Sequence, residues 1–561
     1  MRQLIECVPN ISEGRNMNII NQVTAEIEKV EGVKLLDVDP GATTNRTVIT
    51  FVGEPEPVSE AAYRVVKKAA ELIDMSQHHG AHPRQGATDV CPFVPVANIT
   101  MDEVVEYAHK LAQRLGNELQ IPIYCYESAA FKPERRNLAY CRTGEYESLS
   151  SRLGTEQWKP DFGPNEWNDH VANTGATQVG ARDFLVAINY NLNTTSTRRA
   201  NAIAFDVREK GRPRREGGVP VKDANGKTVM IPGTLKGTKA IGWYIEDYGI
   251  AQVSMNITSI NVAPVHKCFD EVCAKAAARG VRVTGCEIVG LIPKKVLIDA
   301  GDYYLTKQQR SLGISEEEKM KIAVKSMGLD DLKPFEPKEK VIEYLIEDHS
   351  QKKLVDLTCT GFAEETASES PAPGGGSVSA YLGALGASLA TMVANLTAGK
   401  AAYDDQWETY SQWAEKGQAV KNELLALVDE DTNAFNKIMN AFGLPKKTDE
   451  EKAVRSQAIQ DATKYATEVP FRTMKASYAA FEVVRAMVEI GNPNSITDAG
   501  VGALCARSAV MGAHLNVKIN ASSLKDEVFK NDILAKAADI EKKALDEEAA
   551  LLKIVNEKIG L

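Results

Sequence analysis

The chain has 561 residues, enough at about 150 per compact domain for three or four folding units. Hydrophobic residues make up 43% and charged residues 25%, which leaves room for large cores and excludes a disordered, collagenous or disulfide-stapled chain. With 66 basic and 76 acidic side chains the net charge is −10, a poor match to sequence-independent nucleic-acid binding, which runs on neutralising phosphates.

The N-terminal MRQLIECVPN carries Glu6 and Pro9 where a signal peptide needs an apolar core. The apolar stretches 381–396 and 499–515 are rich in Gly, Ala and Ser, and the second holds Arg507, so neither reads as a membrane span. Nine scattered cysteines without a CxxC pair point to reduced thiols, a cytoplasmic location and no structural zinc.

Strand-like and helix-like patches alternate up to about residue 326. Residues 4–8 read as a strand, 19–30 as a helix, 33–38 and 47–52 as strands, 58–73 as a helix, 88–94 as a strand, 104–115 as a helix and 121–126 as a strand. A second pass follows: strand 184–192, helix 197–208, paired strands 241–245 and 251–257, helix 265–278 and strand 281–289. Each pass approximates β-α-β-β-α-β, so the expected N-terminal part is α/β, two ferredoxin-like sandwiches side by side with a cleft at their junction. Residues 161–175 look like a loop, and 209–239, rich in Gly, Pro and basic residues, like an exposed insertion.

From 327 to 357 the chain is charged and punctuated by proline, which suggests a linker. Beyond it strand signals vanish. Helical periodicity fills 377–398, 404–442, 449–490, 497–520 and 523–558, an all-α antiparallel bundle, with Pro470 expected to kink or divide the third helix. The expected domains are therefore 1–180, 181–326 and 358–561, with 327–357 between them. The Gly- and Ala-rich helix faces suit close helix contacts, including contacts between subunits of a homo-oligomer.

Four places carry candidate chemistry. The segment 78–86, HHGAHPRQG, puts three histidines within five positions before a strand. A histidine there can take and return a proton near neutral pH, and His82 is the favoured one. An incidental polar loop is the competing reading, and a zinc site is a weak third. Asn10, Glu13, Arg15, Asp37, Asp39, Asn45 and Arg46 also follow strands, where α/β sheets place functional loops, though Asn and Asp are common turn formers.

The second place is Asp431, which completes the spacing of the apolar stripe Leu424, Val428, Phe435, Ile438 and Phe442. A carboxyl there is desolvated and its pKa is raised, unless it is salt-bridged or the stripe frays. Asp429 falls off the stripe and should be solvated. The third is 371–378, PAPGGGSV, whose backbone N–H groups over Gly374, Gly375, Gly376 and Ser377 would suit an anionic group at a helix start. A Gly-rich start capped by Ser377 is the plainer reading. The fourth is the Ser495–Asp498 capping pattern, leading into a helix with Asn516 and Asn520 one turn apart.

ECVPNISEGRN at 6–16, LLDVDPG at 35–41, TNRTV at 44–48 and HHGAHPRQGATDVCPF at 78–93 resemble glutamate formimidoyltransferases. PAPGGGSV at 371, LVDEDTNAF at 427–435 and the block 498–520 resemble formimidoyltetrahydrofolate cyclodeaminases. In this order they resemble the bifunctional formimidoyltransferase-cyclodeaminase family over nearly the whole chain, although 209–239 looks longer than in that family. The resemblance implies transfer of a formimidoyl group from N-formimidoyl-L-glutamate to tetrahydrofolate. Closure of 5-formimidoyltetrahydrofolate to 5,10-methenyltetrahydrofolate, with release of ammonia, would follow.

It further implies that His82 is the acid/base of transfer and Asp431 the active-site acid of cyclisation. Folate contacts would come from the 163–175 loop (Gly163, Pro164, Trp167, Asn173, Thr174, Gly175) together with Asn10, Asp39 and Arg84. Gly374, Gly375, Gly376, Ser377, Asp498 and Asn516 would form the cyclodeaminase pocket. Tetrahydrofolate would serve as carrier substrate, with no metal, no membrane and no nucleic acid as partner. Polyglutamate tails raise the prospect of channelling, with the Arg212–Arg215 cluster as a contributor. A chain with one live domain, the other serving folate binding or assembly, is the alternative.

Overall fold

In a computed structural model, residues 3–42, 45–80, 83–346 and 353–560 are described. The first stretch builds β1 (Leu4–Cys7), β2 (Asn10–Ile11), α1 (Met17–Glu28), β3 (Val33–Gly41), β4 (Arg46–Gly53), α2 (Pro55–Leu72), β5 (Thr88–Ala97), α3 (Met101–Glu118) and β6 (Ile123–Glu127). Short helices α4 (Leu138–Cys141), α5 (Leu149–Arg152) and α6 (Asp169–Thr174) precede β7 (Thr177–Ala181). The residues expected to form a plain loop thus include α6, and β7 is an additional strand.

β1 and β2 are pieces of one broken strand, each lying antiparallel between β4 and β5. Proline, with no N–H to donate, sits at the break. β7 slots in parallel between β5 and β6. One face of this sheet buries Cys7, Ile49, Phe51, Cys91, Val179 and Cys125 against α1–α3. The period of two sends the alternate residues to the opposite face, where the chemistry gathers.

The second stretch builds β8 (Val186–Leu192), α7 (Thr197–Val207), the two-residue strands β9 (Arg212–Pro213), β10 (Arg215–Glu216), β11 (Val219–Pro220) and β12 (Met230–Ile231), then β13 (Thr238–Ile245), β14 (Ile250–Ile257), α8 (Val265–Ala277) and β15 (Val283–Val289). Its four-stranded sheet has the order β13-β14-β8-β15, antiparallel throughout. The 209–239 segment forms two two-stranded ribbons, β9 with β12 and, between them in sequence, the exposed hairpin β10-β11.

The helices that follow are α9 (Lys294–Lys307), α10 (Glu316–Met327), α11 (Pro337–Lys340), α12 (Ile342–Leu345), α13 (Cys359–Thr366), α14 (Gly375–Ala398), α15 (Trp407–Phe442), α16 (Asp449–Ile490), α17 (Ile496–Ala521) and α18 (Glu527–Ile559). The chain divides into two compact units, residues 1–297 with 327–347, and residues 298–326 with 348–561. That differs from the expected boundary at 326 and from a linker over 327–357. Gly313 packs directly on Ala414, and its carbonyl accepts from Asn395 and Gln418, which ties 298–326 to the helices. Gly328 and Asp331 bond to β15 and β8, and Ile342 is buried, which returns 327–347 to the first unit.

In the helical unit, α14 is apolar and long enough by composition to cross a bilayer, yet most of it is covered by its neighbours. Its covered face is Gly, Ala, Ser and Thr rather than Leu, so backbones come close; a side chain on Gly386 would lie 2.9 Å from the Gly502 carbonyl oxygen of α17. α16 is a single helix through Pro470 rather than two. Proline removes the N–H that would bond the Ala466 carbonyl, and Asn520 Nδ2 of α17 donates to that carbonyl at 2.7 Å instead. Gly386→Val is expected to destabilise the protein by about 1–3 kcal/mol through overpacking, measured as a lower urea midpoint.

Candidate functional site

On the first sheet, register links one row of residues across six strands: Asp39 opposite Val48, Val48 opposite Asn10, Asn10 opposite Val90, Val90 opposite Gln178 and Gln178 opposite Tyr124. All lie on the face away from the α1–α3 core. Asn10 and Asp39, expected at the site from their place after strands, therefore share one face with a single strand between them. Glu6 lies on the same face, 5% exposed. Burial pushes its carboxyl up to about 7, against the pull of Arg182.

Arg46 extends this polar face. Its guanidinium donates to Asn10 Oδ1, and burial lowers its pKa to about 10 while Asp89 opposes the shift. Asp89 is buried, pairs with Arg142 and accepts the Gln85 N–H at 3.0 Å. Arg142 in turn lines a cavity of about 750 Å³, with His79, Gly80, Pro83, Arg84, Glu145, Glu147 and, from β13, Lys239 among its walls.

Arg84 is not an open anion site. Its Nη1 and Nη2 reach Glu147 at 2.9 and 2.7 Å, Nη1 also reaches Glu145, and Nε donates to His78 Nδ1 at 3.2 Å. Because His78 Nδ1 accepts, its proton sits on Nε2, which donates to the Asn45 carbonyl at 2.9 Å. Burial and the Arg84 charge both lower the His78 pKa. His78 is thus a neutral strut, and Arg84, expected as a folate contact, is a cavity-wall residue held by these partners. His82 lies outside the described residues.

The 163–175 segment splits. Gly163, at φ +82°, packs where a Cβ would fall 2.2 Å from the Ile121 carbonyl oxygen and close to Gly116 of α3. The glycine is required there by backbone packing. Trp167 lies 5.9 Å from the Tyr146 ring, which Arg84 overlies. Thr174 and Gly175 run along Gln85–Gly86, with the Ala87 N–H donating to the Thr174 carbonyl. Asn173 is exposed and Pro164 half-buried. None of the six lines the 750 Å³ cavity. The Arg212–Arg215 cluster is largely engaged: Arg212 pairs with Asp206, Arg214 with Glu216, and Arg215 donates to Gly218.

In the helical unit a smaller cavity of about 150 Å³ is lined by Pro371, Gly374, Gly375, Asp431, Thr432, Phe435, Ile438, Ala466, Asn516 and Asn520, among others. Asp431 Oδ2 accepts the Ser377 backbone N–H at 2.9 Å and its hydroxyl at 3.1 Å. The anion that suits the Gly-rich helix start is therefore this protein's own carboxylate. Gly376 permits the approach, since a Cβ there would fall 2.1 Å from Asp431 Oδ1. Burial raises the Asp431 pKa and the Ser377 bonds oppose the rise. Ser377 is not the helix cap as expected; Gly374 occupies that position.

The apolar stripe of α15 leaves the core at Asp431. Leu424 and Val428 are fully buried, whereas Phe435 and Phe442 are about half exposed, and Phe435 and Ile438 become cavity wall. Asp429 is not simply solvated, because it accepts the Leu354 N–H at 2.6 Å. Asp498 does not belong to this pocket. It sits in the first turn of α17, and at about 1.5 Å per residue the helix carries it about 27 Å from Asn516. Ser495 makes no capping bond.

Residues missed by sequence reasoning are Glu6, Asp89, Arg142 and Lys239 at the first site, and Thr432 and Ala466 at the second. Arg142 belongs to a stretch without periodicity, and Ala466 matters only through its backbone, so neither had a sequence signal. Among the described residues, no group of three or more His, Cys, Asp or Glu side chains is placed to hold a metal ion.

Three family models tile the chain: the N-terminal subdomain of the formiminotransferase domain over residues 4–182, the formiminotransferase domain over 187–347, and formiminotransferase-cyclodeaminase over 358–539. The formimidoyltransferase-cyclodeaminase of Mus musculus is 40% identical over 553 residues, 98% of each chain. The chain belongs to the formimidoyltransferase-cyclodeaminase family. A glutamate formimidoyltransferase from Streptococcus pyogenes is 42% identical over 54% of this chain and 94% of its own. A methenyltetrahydrofolate cyclohydrolase from Methylorubrum extorquens is 41% identical over 32% of this chain and 85% of its own. The two formiminotransferase models cover the stretch that holds the larger cavity, and the formiminotransferase-cyclodeaminase model covers the stretch that holds the smaller one.

Two outcomes test the geometry without an activity assay. Gly163→Ala should lower the Tm measurably through strain at positive φ and backbone collision, although the residue does not touch the cavity. His78 carries a lowered pKa in the folded state, so its stability contribution is full above the unfolded value near 6.5 and is lost as pH falls below it. His78→Gln should flatten the dependence of the urea midpoint on pH between about 7 and 5; an unchanged slope would remove the neutral-strut role.

Proposed function

We propose that this chain catalyses two successive steps: transfer of the formimidoyl group of N-formimidoyl-L-glutamate to tetrahydrofolate, and closure of 5-formimidoyltetrahydrofolate to 5,10-methenyltetrahydrofolate with loss of ammonia. The observation that carries the reading is Asp431, seated on the first turn of α14 inside a polar-walled cavity, in a chain aligned end to end with formimidoyltransferase-cyclodeaminases. The first unit is assigned to transfer and the second to cyclisation. Residues 358–561 form the core of the second, with domains over 1–180 and 181–297 in the first.

Transfer proceeds by amine attack on an amidine-type carbon, through a tetrahedral intermediate whose nitrogens exchange protons. His82 is assigned that exchange, a task suited to a group titrating near neutrality. The 750 Å³ cavity, with Lys239 and His79 in its walls, suits a dicarboxylate donor such as formimidoylglutamate. Asn10 and Asp39 supply polar contacts for the pterin on the adjoining sheet face.

Cyclisation is intramolecular, so positioning does most of the work. Asp431 supplies a proton to the amidine nitrogen. The ring nitrogen attacks the amidine carbon, forming the new C–N bond, and its proton returns to the carboxylate. Asp431 then gives that proton to the same amidine nitrogen, which departs as ammonia when its bond to carbon breaks. One carboxyl used twice balances both hydrogens. Tetrahydrofolate is the carrier substrate.

The β13-β14-β8-β15 order with α7 and α8 supports a ferredoxin-like sandwich for the second half of the α/β region. Short connections between α14, α15, α16, α17 and α18 support an antiparallel bundle. Exposed Leu385, Met392 and Leu396 on α14 support self-association into a homo-oligomer, and nine cysteines outside any disulfide are compatible with a cytoplasmic setting.

The division of labour is tested by point variants. His82→Ala should lower transfer by about 10²–10⁴ and leave cyclisation of supplied 5-formimidoyltetrahydrofolate intact; Asp431→Ala should do the reverse, followed by absorbance of the methenyl product. Loss of both activities in a folded single variant would refute it. If the acid form of Asp431 is the working one, ammonia release falls as pH rises through its raised pKa. Ser377→Ala removes a hydroxyl donor that favours the ionised form, raising that pKa further, so the falling limb should move to higher pH.

A further inference from the structure

The cavity around Asp431 contains an acceptor whose orientation is set by a missing hydrogen bond. Pro470 has no N–H, so the Ala466 carbonyl lacks its helical donor. Asn520 Nδ2 fills the gap at 2.7 Å, and both Asn520 and Ala466 line the cavity with Asp431. With its amino group committed to that carbonyl, the planar Asn520 side chain has its amide oxygen left to offer. One turn earlier Asn516 is held within its own helix, its Nδ2 donating to the Gly512 carbonyl at 2.9 Å. Two amide flips are thereby fixed by backbone partners, and the wall they make accepts hydrogen bonds.

We propose that Pro470 and Asn520 act together as a positioning device, in which the carbonyl freed by the proline anchors Asn520 so that its amide oxygen receives an N–H of the amidine-bearing substrate beside Asp431. This rests on the cyclodeaminase reading of the site. A fixed amide oxygen in this wall suits a ligand that presents N–H groups, as an amidine does. An acceptor fixed in advance holds that nitrogen within reach of the Asp431 proton without ordering a side chain at the moment of reaction. Asn520 acts by orientation and exchanges no proton.

A simple alternative is that Asn520 only satisfies the Ala466 carbonyl. A double-variant cycle on the full-length protein separates the two roles, with Tm and with kcat and KM for ammonia release from supplied 5-formimidoyltetrahydrofolate as readouts. Asn520→Ala should lower both Tm and kcat/KM. Adding Pro470→Ala gives the carbonyl a helical N–H again. The double variant should then recover the wild-type Tm while kcat/KM stays at least tenfold down. Recovery of kcat/KM together with Tm would overturn the proposal and leave Asn520 a structural cap.

Should the double variant fail to fold, Pro470→Ala alone decides. Its Tm should match or exceed wild type, while kcat/KM falls at least threefold because Asn520 loses its anchor. Wild-type kcat/KM in that variant would overturn the proposal, and unchanged formimidoyl transfer serves as the folding control. Absence of ammonia release from the wild-type protein would instead refute the cyclodeaminase reading itself, and the proposal with it.

Discussion

At the mouth of α14 a carboxylate meets a helix N-terminus across a glycine. Asp431 accepts the Ser377 N–H and hydroxyl, and nothing larger than hydrogen at position 376 allows the contact. Burial raises the energy of the ionised acid, while the first-turn N–H and the positive end of the helix lower it. The opposing terms leave an acid that is neither locked as carboxylate nor stranded in apolar surroundings. The remaining cavity walls come from three other helices, so the site exists only when the helices are packed in their final register.

The α/β unit solves a different problem, keeping several charges close without letting them collapse onto one another. Arg84 is saturated by two glutamates and a neutral histidine, so it shapes the cavity rather than filling it. Buried Asp89, between half-buried Arg46 and Arg142, links the polar sheet face to the cavity wall. Breaking one member would leave an uncompensated buried charge, which is why such groups occur together.

Pro470 shows how a local defect becomes a feature. In an isolated helix the missing N–H would cost a hydrogen bond and favour a break. Here the orphan carbonyl faces a neighbouring helix that carries an asparagine at the matching height, so the helix continues and the asparagine acquires a fixed orientation. The same small-residue packing that brings α14, α16 and α17 together makes that meeting possible.

Periodicity alone made much of the architecture legible, because alternation and helical spacing are local properties of the chain. The two passes of α/β elements, the long helices and the interruption of the α15 stripe at 431 were all readable that way. The motif resemblance indicated which chemistry to expect, and it directed attention to Ser377 and Asn516 beside Asp431. It also carried Asp498 along, wrongly, because adjacency in sequence says nothing about which end of a long helix lines a pocket. The partners of Arg84 were not legible, because Glu145 and Glu147 lie some sixty residues away. The exchange of 298–326 and 327–347 between units, the insertion of β7 and the capture of the Ala466 carbonyl by Asn520 all depend on contacts between segments far apart in the chain. Composition and spacing determined what each segment could form; only tertiary packing decided which groups meet, since a hydrogen bond or an ion pair needs its two atoms within about 3 Å and no one-dimensional pattern encodes that distance.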